Sequence, residues 1–281
     1  MVVTRKARIV SATITYGVLI AFAIFCLFPF LWMLDTALKP QVEVMSVTPT
    51  FVIKAPTLAN FRHVLFDSQF AVYFRNSIIV ATASTILTVI LGIFASYALS
   101  RWTYLPITKV VGTALVLSQM IPGVLLLVPL YVLMRNLGLL STYSALIIVY
   151  CTFMVPLVTF LLKGFFDGVP RELEEAATVD GCSRLKFIFR ILVPLSAPGI
   201  LATAVFAFIA AWNEFMFGYV LINNDARRTL TPGIMIFKGT HQTDWASLSA
   251  ASVLAVLPVA IGFVYLQRYL VEGLANGAVK G

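Results

Sequence analysis

Charge is scarce in this 281-residue chain: Asp, Glu, Lys and Arg make up only 11% of it, while 60% of the residues are hydrophobic. A water-soluble domain carries roughly 25% charged residues and rather fewer apolar ones. So few charges cannot clothe a surface that meets water on every side, and most of that surface must face lipid. Cysteine is also scarce. Cys26, Cys151 and Cys182 form no C-x-x-C pair, which argues against a zinc site or a disulfide framework; they read as small buried hydrophobes or free thiols. The two histidines, His63 and His241, stand alone in loops and are not read as metal ligands. No G-x-x-x-x-G-K-[ST] phosphate loop is present, so this chain does not hydrolyse ATP by that device. It is expected to bind no cofactor and to be no enzyme. The net charge of +8 would invite nucleic acid in a soluble protein. No basic stripe with interleaved aromatics lies outside the apolar runs, however, and excess Lys and Arg is what cytoplasmic loops of membrane proteins carry.

Six long stretches are free of Asp, Glu, Lys and Arg: Ile9 to Leu34, Asn76 to Ser100, Val110 to Met134, Asn136 to Leu162, Ile191 to Asn213 and Trp245 to Gln267. Each has at least 23 residues, against the roughly 20 needed to cross a hydrocarbon layer of about 30 Å. The expected fold is therefore an all-α membrane protein with six transmembrane helices. Pro122-Gly123, Pro129, Pro156 and Pro258 lie inside runs, which membrane helices tolerate when neighbours satisfy the freed backbone groups. The turn between the third and fourth runs is read as Arg135-Asn136-Leu137-Gly138. The first run is too long for the apolar core of a cleaved signal and is read as a retained helix. With the N-terminus inside, segments 1–12, 100–109, 163–190 and 268–281 hold twelve of the twenty basic residues. That bias has the sign expected of a cytoplasmic face, so both termini are expected in the cytoplasm. The larger outer loops then span about 35–75 and 222–245. Three regions follow: a first helix with its outer loop at 1–70, a transmembrane domain at 71–267 and a tail at 268–281.

The informative segment lies between the fourth and fifth runs. Pro170 suits a helix start, and Glu172, Glu174 and Glu175 follow where negative charge offsets the positive end of a helix. Gly181 suits a left-handed stop, and Ser183 suits the cap of a second helix. In that second helix Leu185, Ile188, Phe189 and Leu192 fall at i, i+3, i+4 and i+7, one apolar stripe. The segment therefore reads as a helix, a tight turn and an amphipathic helix. Spacing alone leaves two roles open: an elbow lying among lipid headgroups, or a rigid knob that docks into a partner.

Glu175-Ala176-Ala177, three residues, Gly181, nine residues and then Ile191-Leu192-Val193-Pro194 resembles the signature loop of binding-protein-dependent ABC importer permeases. Val193 departs from that pattern, standing where Leu is usual. Arg75-Asn76-Ser77, Ala211-Trp212-Asn213-Glu214 and the tail from Arg268 to Gly281 look like the carbohydrate-uptake branch, closest to the shorter permease of maltose-type systems. The resemblance covers nearly the whole chain. It implies that the loop is a coupling helix seated on a cytoplasmic ATPase dimer, with Glu175, Ala176, Ala177, Asp180 and Gly181 at the contact. It further implies a second homologous permease, an extracytoplasmic solute-binding protein and a place in the inner or plasma membrane. ATP and Mg would sit on the partner ATPase. The loop from Asn223 to Asp244 resembles the segment that reaches into the binding protein.

Polar residues inside spans are functional candidates by default. Gln119, Asn213 and Glu214, and less so Asn76, are the candidates for the substrate path. Glu214 reads equally as an interfacial carboxylate or as one paired with a base such as Arg75. Asp35 reads as interfacial, and Gly164-x-x-x-Gly168 as a close-packing pair. Trp102, Tyr104, Trp212, Tyr219 and Trp245 suit the aromatic belts of a membrane protein. The rival to an ATP-driven importer is a self-sufficient secondary transporter, which would use buried carboxylates and often internal repeats. No acid lies mid-span and the halves show no repeat.

Overall fold

The computed structural model describes residues 5–46, 48, 50–239 and 242–278, with side chains described from 11 to 264 and at 267 within that range. His241, Lys280 and the last residues of the tail lie outside the described residues. Among the described residues the chain is helical, with no strand. It divides into two compact units, Met1–Ser68 with Ile234–Val256, and Gln69–Gly233 with Leu257–Gly281.

In the first unit, α1 (Arg5–Ala37) is followed by a long connection with one helical turn at Gln41–Val44 and then α2 (Ala59–Phe66). The chain between them folds around a buried cation. Lys39, 5% exposed, pairs with the Asp35 carboxylate one helical turn earlier and donates to the Thr50 carbonyl. Its ammonium lies 5.6 Å from the centre of the Trp32 ring. Asp35 is thus held in an ion pair. Asn60 Nδ2 donates to the carbonyls of Ala37 and Lys39, each at 2.8 Å, which fastens α2 to the end of α1. Gln41 joins in the later segment, donating to Thr243 O at 2.9 Å and accepting from Ala246 N at 3.1 Å.

The second unit is built on three helices. These are α3 (Phe70–Arg101), then, after α4 (Pro106–Gln119) and α5 (Leu127–Asn136), α6 (Tyr143–Asp167), and further on α9 (Ala197–Trp212). Between α6 and α9 lie α7 (Glu172–Val179) and α8 (Arg184–Phe187). Longer helices further on are α10 (Met216–Leu221) and α11 (Trp245–Ala278), the last of which runs through both units. Helices α3, α6 and α9 pack on one another. Many of the buried residues of α3 recur three and four apart: Tyr73, Asn76, Ser77, Val80, Ala81, Ser84, Thr88, Gly92, Ser96 and Ser100. Such steps keep successive positions side by side, in a stripe that winds part of the way around the helix. Most of them are small or hydroxylated, the residue types that let membrane helices approach closely without a hydrophobic driving force between them. A Cβ added at Gly92 would meet Val158 Cγ1 at 2.6 Å, and one at Gly199 would enter the Phe165 ring. Ser96 Oγ donates to Thr159 O at 2.7 Å, and Cys151, buried on α6, is in contact with Thr88 Oγ1 at 3.3 Å. The expected close pair at Gly164 and Gly168 does not form this contact, because Gly164 has nothing within 4 Å of its missing Cβ.

Among the described residues, four helices are long and apolar enough to cross a membrane as they stand: Ser11–Ala37, Phe70–Arg101, Tyr143–Asp167 and Trp245–Val264. The third and fifth runs are not straight. Pro106–Gln119 and Gly123–Asn136 are bent by 95°, and Arg184–Leu195 and Ala197–Trp212 by 84°. The count reaches six only if each bent pair makes one crossing. The first bend falls at Ile121-Pro122, where proline removes a donor and restrains the residue before it. The fifth run accordingly begins its long helix at Ala197 rather than Ile191, and the fourth at Tyr143 rather than Asn136. Between Asn136 and Tyr143 the chain turns at Gly138 (φ +68°), where Leu139 N donates to Met134 O and Gly138 N to Arg135 O. Thr142 then caps α6 by accepting from Ala145 N at 3.2 Å. Trp212 is not a belt residue: it is buried, stacked on Phe208 and edge-on to Phe74.

Candidate functional site

The segment between α6 and α9 forms an elbow whose shape follows from its local sequence. Pro170 stands just before the helix rather than at its first position, and α7 opens with Glu172, Glu174 and Glu175 in its first turn. After Val179 the helix closes on Gly181 at φ +74°. Cys182 N donates to Ala177 O at 2.8 Å and Gly181 N to Thr178 O at 3.0 Å. This pair of bonds uses the orphan carbonyls of a helix end and needs a left-handed residue, which is why glycine stands there. Ser183 then caps α8, its side chain accepting from Lys186 N at 3.4 Å.

Beyond α8 the expected stripe is rearranged. Residues Ile188–Leu192 form a π-helical turn, which holds more residues per turn than an α-helix. The buried side chains are Phe187, Ile188 and Leu192, while Leu185 (60% exposed) faces out and Phe189 (53%) keeps only an edge-on contact with Phe94. A 3.6-residue period assigns Leu185 and Phe189 to the buried side; the wider turn rotates them away.

Glu175, Ala176, Asp180 and Gly181 are exposed on the elbow, beside Val179, which is 87% exposed. Ala177 differs: it is buried, and its carbonyl closes the turn behind that surface. The elbow therefore presents a carboxylate, a methyl group and a bare apolar side chain on a rigid turn.

What holds the elbow in place was missed in the sequence. Glu174 turns inward to the last turns of α3. Its Oε2 lies 3.2 Å from Arg101 Nε in an ion pair whose arginine side chain is only 5% exposed. Its Oε1 accepts from the Tyr97 hydroxyl. Arg101 Nη2 also donates to Val169 O at 3.0 Å, and Arg171 Nη2 donates to Ser100 O at 3.1 Å. Ser100 Oγ donates to Asp167 Oδ1 at 2.6 Å. Arg184, on the far side of the turn, lies over the Trp102 ring at 5.5 Å. The signal in the sequence is the adjacent pair Glu174-Glu175: consecutive positions on a helix point roughly 100° apart, so one faces outward and the other inward.

The four polar residues expected near the path lie in different surroundings. Gln119 is exposed at the α4 end of the 95° bend, with Nε2 donating to Phe153 O at 3.3 Å. Asn213 is exposed and caps the C-terminal end of α9. Glu214 gives its carboxylate to the start of α10, accepting from Phe217 N at 2.9 Å and Gly218 N at 3.0 Å. Asn76 is fully buried. Its Nδ2 donates to Ala226 O at 3.0 Å and Arg228 O at 2.8 Å, and its Oδ1 accepts from the Tyr143 hydroxyl at 2.7 Å. Ser77 beside it accepts from Leu230 N at 2.8 Å. The Arg75-Asn76-Ser77 motif thus latches residues 226–230 onto the start of α3.

Among the described residues no group of three or more His, Cys, Asp or Glu is placed to hold a metal ion. His63 lies on α2 rather than in a loop, 3.7 Å from Asp67 and edge-on to the Phe237 ring.

Comparison with known proteins gives this geometry its context. The chain is 39% identical to the sulfoquinovosyl glycerol transport system permease protein of Agrobacterium fabrum, over 91% of its own length and 89% of that protein. It is 38% identical to the trehalose/maltose transport system permease protein of Thermococcus litoralis, over 93% and 94%. It is also 34% identical to the diacetylchitobiose uptake system permease protein of Streptomyces coelicolor, over 90% and 92%. Among solved structures it superposes with a TM-score of 0.81 on a chain of a bacterial ABC transporter that imports the acidic polysaccharide alginate, covering 96% of this chain and 99% of that one. Identity there is 20%, so the likeness speaks for the fold alone. Residues 88–276 match the family described as the binding-protein-dependent transport system inner membrane component, and with relatives of this similarity along nearly its whole length the chain belongs to that family: it is a permease subunit of an ABC importer.

Proposed function

We propose that this permease carries a sugar or oligosaccharide, handed over by an extracytoplasmic binding protein, through a pathway it forms with a second, homologous permease. The named relatives, permeases for sulfoquinovosyl glycerol, trehalose and maltose, and diacetylchitobiose, support the substrate class. In this reading each bent pair makes one crossing, so the chain crosses six times, with both termini and the elbow in the cytoplasm of an inner or plasma membrane. The elbow docks on a cytoplasmic ATPase dimer, which holds ATP and Mg.

One observation carries the docking assignment: a bare, rigid apolar tip. Val179 is 87% exposed and flanked by exposed Ala176 and Gly181, on a turn braced from behind by the Arg101–Glu174 pair. An apolar side chain held out on a braced turn suits insertion into a complementary cleft. Glu175 and Asp180 on the same surface offer carboxylates to basic or amide donors of the partner. Ala177 belongs to the site by shaping the turn. Gln119 and Asn213 are the exposed polar groups we assign to the substrate path, whereas the bonds of Glu214 and Asn76 suit them to holding α10 and the 226–230 segment.

ATP binding would close the two ATPase subunits, carry the elbows inward and turn the pathway outward; hydrolysis would reset it. The test is copurification. The ATPase should remain with the wild-type permease pair through gentle solubilisation and be lost when residues 172–186 are deleted. Retention after the deletion would put the dock elsewhere.

A further inference from the structure

We propose that α3 is a rod joining the docking elbow at one end to the loop at residues 224–231 at the other, and that Glu174 is the positioning residue through which the ATPase state reaches that loop. This rests on the docking reading above and adds the path by which docking is felt at a distance.

Both ends of α3 are gripped by side chains of the helix itself. At the C-terminal end, Tyr97, Ser100 and Arg101 hold the elbow at α7 and just before it: Glu174 in its first turn, and Asp167 and Val169 ahead of it. At the N-terminal end, Asn76 and Ser77 hold Ala226, Arg228 and Leu230 by three hydrogen bonds of 2.8 to 3.0 Å. Between Asn76 and Arg101 the helix is about 38 Å long at its usual rise. Sharp kinks occur mostly at proline. Prolines interrupt α1, α6 and α11 at Pro29, Pro156 and Pro258, but α3 has none. Its middle is pinned by the close approach of Gly92 to Val158. A stiff helix clamped at both ends transmits displacement instead of absorbing it.

The division between the two adjacent glutamates follows. Glu175 faces the partner. Glu174 faces Arg101 and Tyr97, so a force on the tip is delivered to the end of α3. Once Glu174 no longer carries charge, the elbow remains a capped helix and can still dock, but its grip on Arg101 weakens.

The experiment reads the loop directly. Arg227 is exposed and Arg228 partly so, and the Arg228 carbonyl is the one Asn76 holds, so trypsin cleavage at these arginines reports on that grip. The complex of this chain, the second permease and the ATPase would be treated with trypsin, with and without ATP plus orthovanadate. Cleavage after Arg227 and Arg228 would be followed by mass spectrometry. Wild type is expected to show a change of about five- to tenfold in cleavage rate on trapping, within the usual range for coupling between sites. Glu174→Gln should keep the ATPase bound and reduce that change to less than twofold. Glu174→Asp, which preserves the charge, should restore most of it. A purely structural role would alter the rate in both nucleotide states alike and leave the response intact. Should Glu174→Gln not assemble, Tyr97→Phe decides: the response should fall about twofold. A wild-type response that survives Glu174→Gln or Tyr97→Phe in an assembled complex overturns the rod, as does a vanadate-trapped wild type whose loop does not respond. If no ATPase copurifies with the wild type, it is the docking reading that fails instead.

Discussion

The most apolar stretches of helices α1 and α3 are equally apolar, with mean hydropathy 2.5 and 2.4, yet that of α1 is 0% buried within the subunit and that of α3 is 39% buried. The difference lies in the small and hydroxylated residues. Helix α1 presents Ile14, Tyr16, Leu19, Ile20 and Ile24 on all sides, whereas α3 lines its packed stripe with Ser, Thr, Ala and Gly. Lipid tails are as apolar as leucine, so hydropathy shows that a helix crosses but not what it touches; close packing and interhelical hydrogen bonds decide that.

Substitutions at matched positions test this contrast. The largest effect is expected at Gly92, where a side chain would collide with Val158. Gly92→Leu should cost about 3 kcal/mol or more, at or above the upper end for overpacking, and should be seen as lost monodisperse protein and a lowered melting temperature in detergent. Asn76→Ala comes next. It leaves the Ala226 and Arg228 carbonyls and the Tyr143 hydroxyl without their partner, at about 2–3 kcal/mol. Hydrogen exchange should then quicken at Leu230, whose amide is held by the neighbouring Ser77. Gly181→Val should cost about 1–2 kcal/mol, because a β-branched residue resists the left-handed turn. Its readout is weaker retention of the ATPase on the purified permease. The smallest effect belongs to α1. Gly17 has nothing within 4 Å of its missing Cβ, so Gly17→Leu should shift stability by less than about 0.5 kcal/mol. A comparable loss at Gly17 and Gly92 would break the contrast.

What the sequence made legible was local. The elbow could be read because the acidic first turn, Gly181 and the Ser183 cap each act over a few residues. The π-helical turn was hidden, since a 3.6-residue period brings Leu185 and Phe189 into the stripe. The 95° bend was signalled by Pro122-Gly123, but counting uncharged residues measures length and not direction. Arg101 and Glu174 are 73 positions apart in the chain, and no periodicity links them. Asn76 stood out as a polar residue at the start of a span, but the two carbonyls it serves belong to a loop that folds back from 150 residues away.

The most direct test of the whole account is transport itself. The permease pair, the ATPase and the binding protein would be reconstituted in proteoliposomes, and uptake of labelled disaccharides, maltose and trehalose first, followed with ATP supplied on the ATPase side. The account predicts accumulation that requires ATP and the binding protein and is lost with Glu175→Lys although the variant inserts normally. Uptake by this chain alone, driven by a proton or sodium gradient and indifferent to ATP, would contradict it and make the chain a secondary transporter.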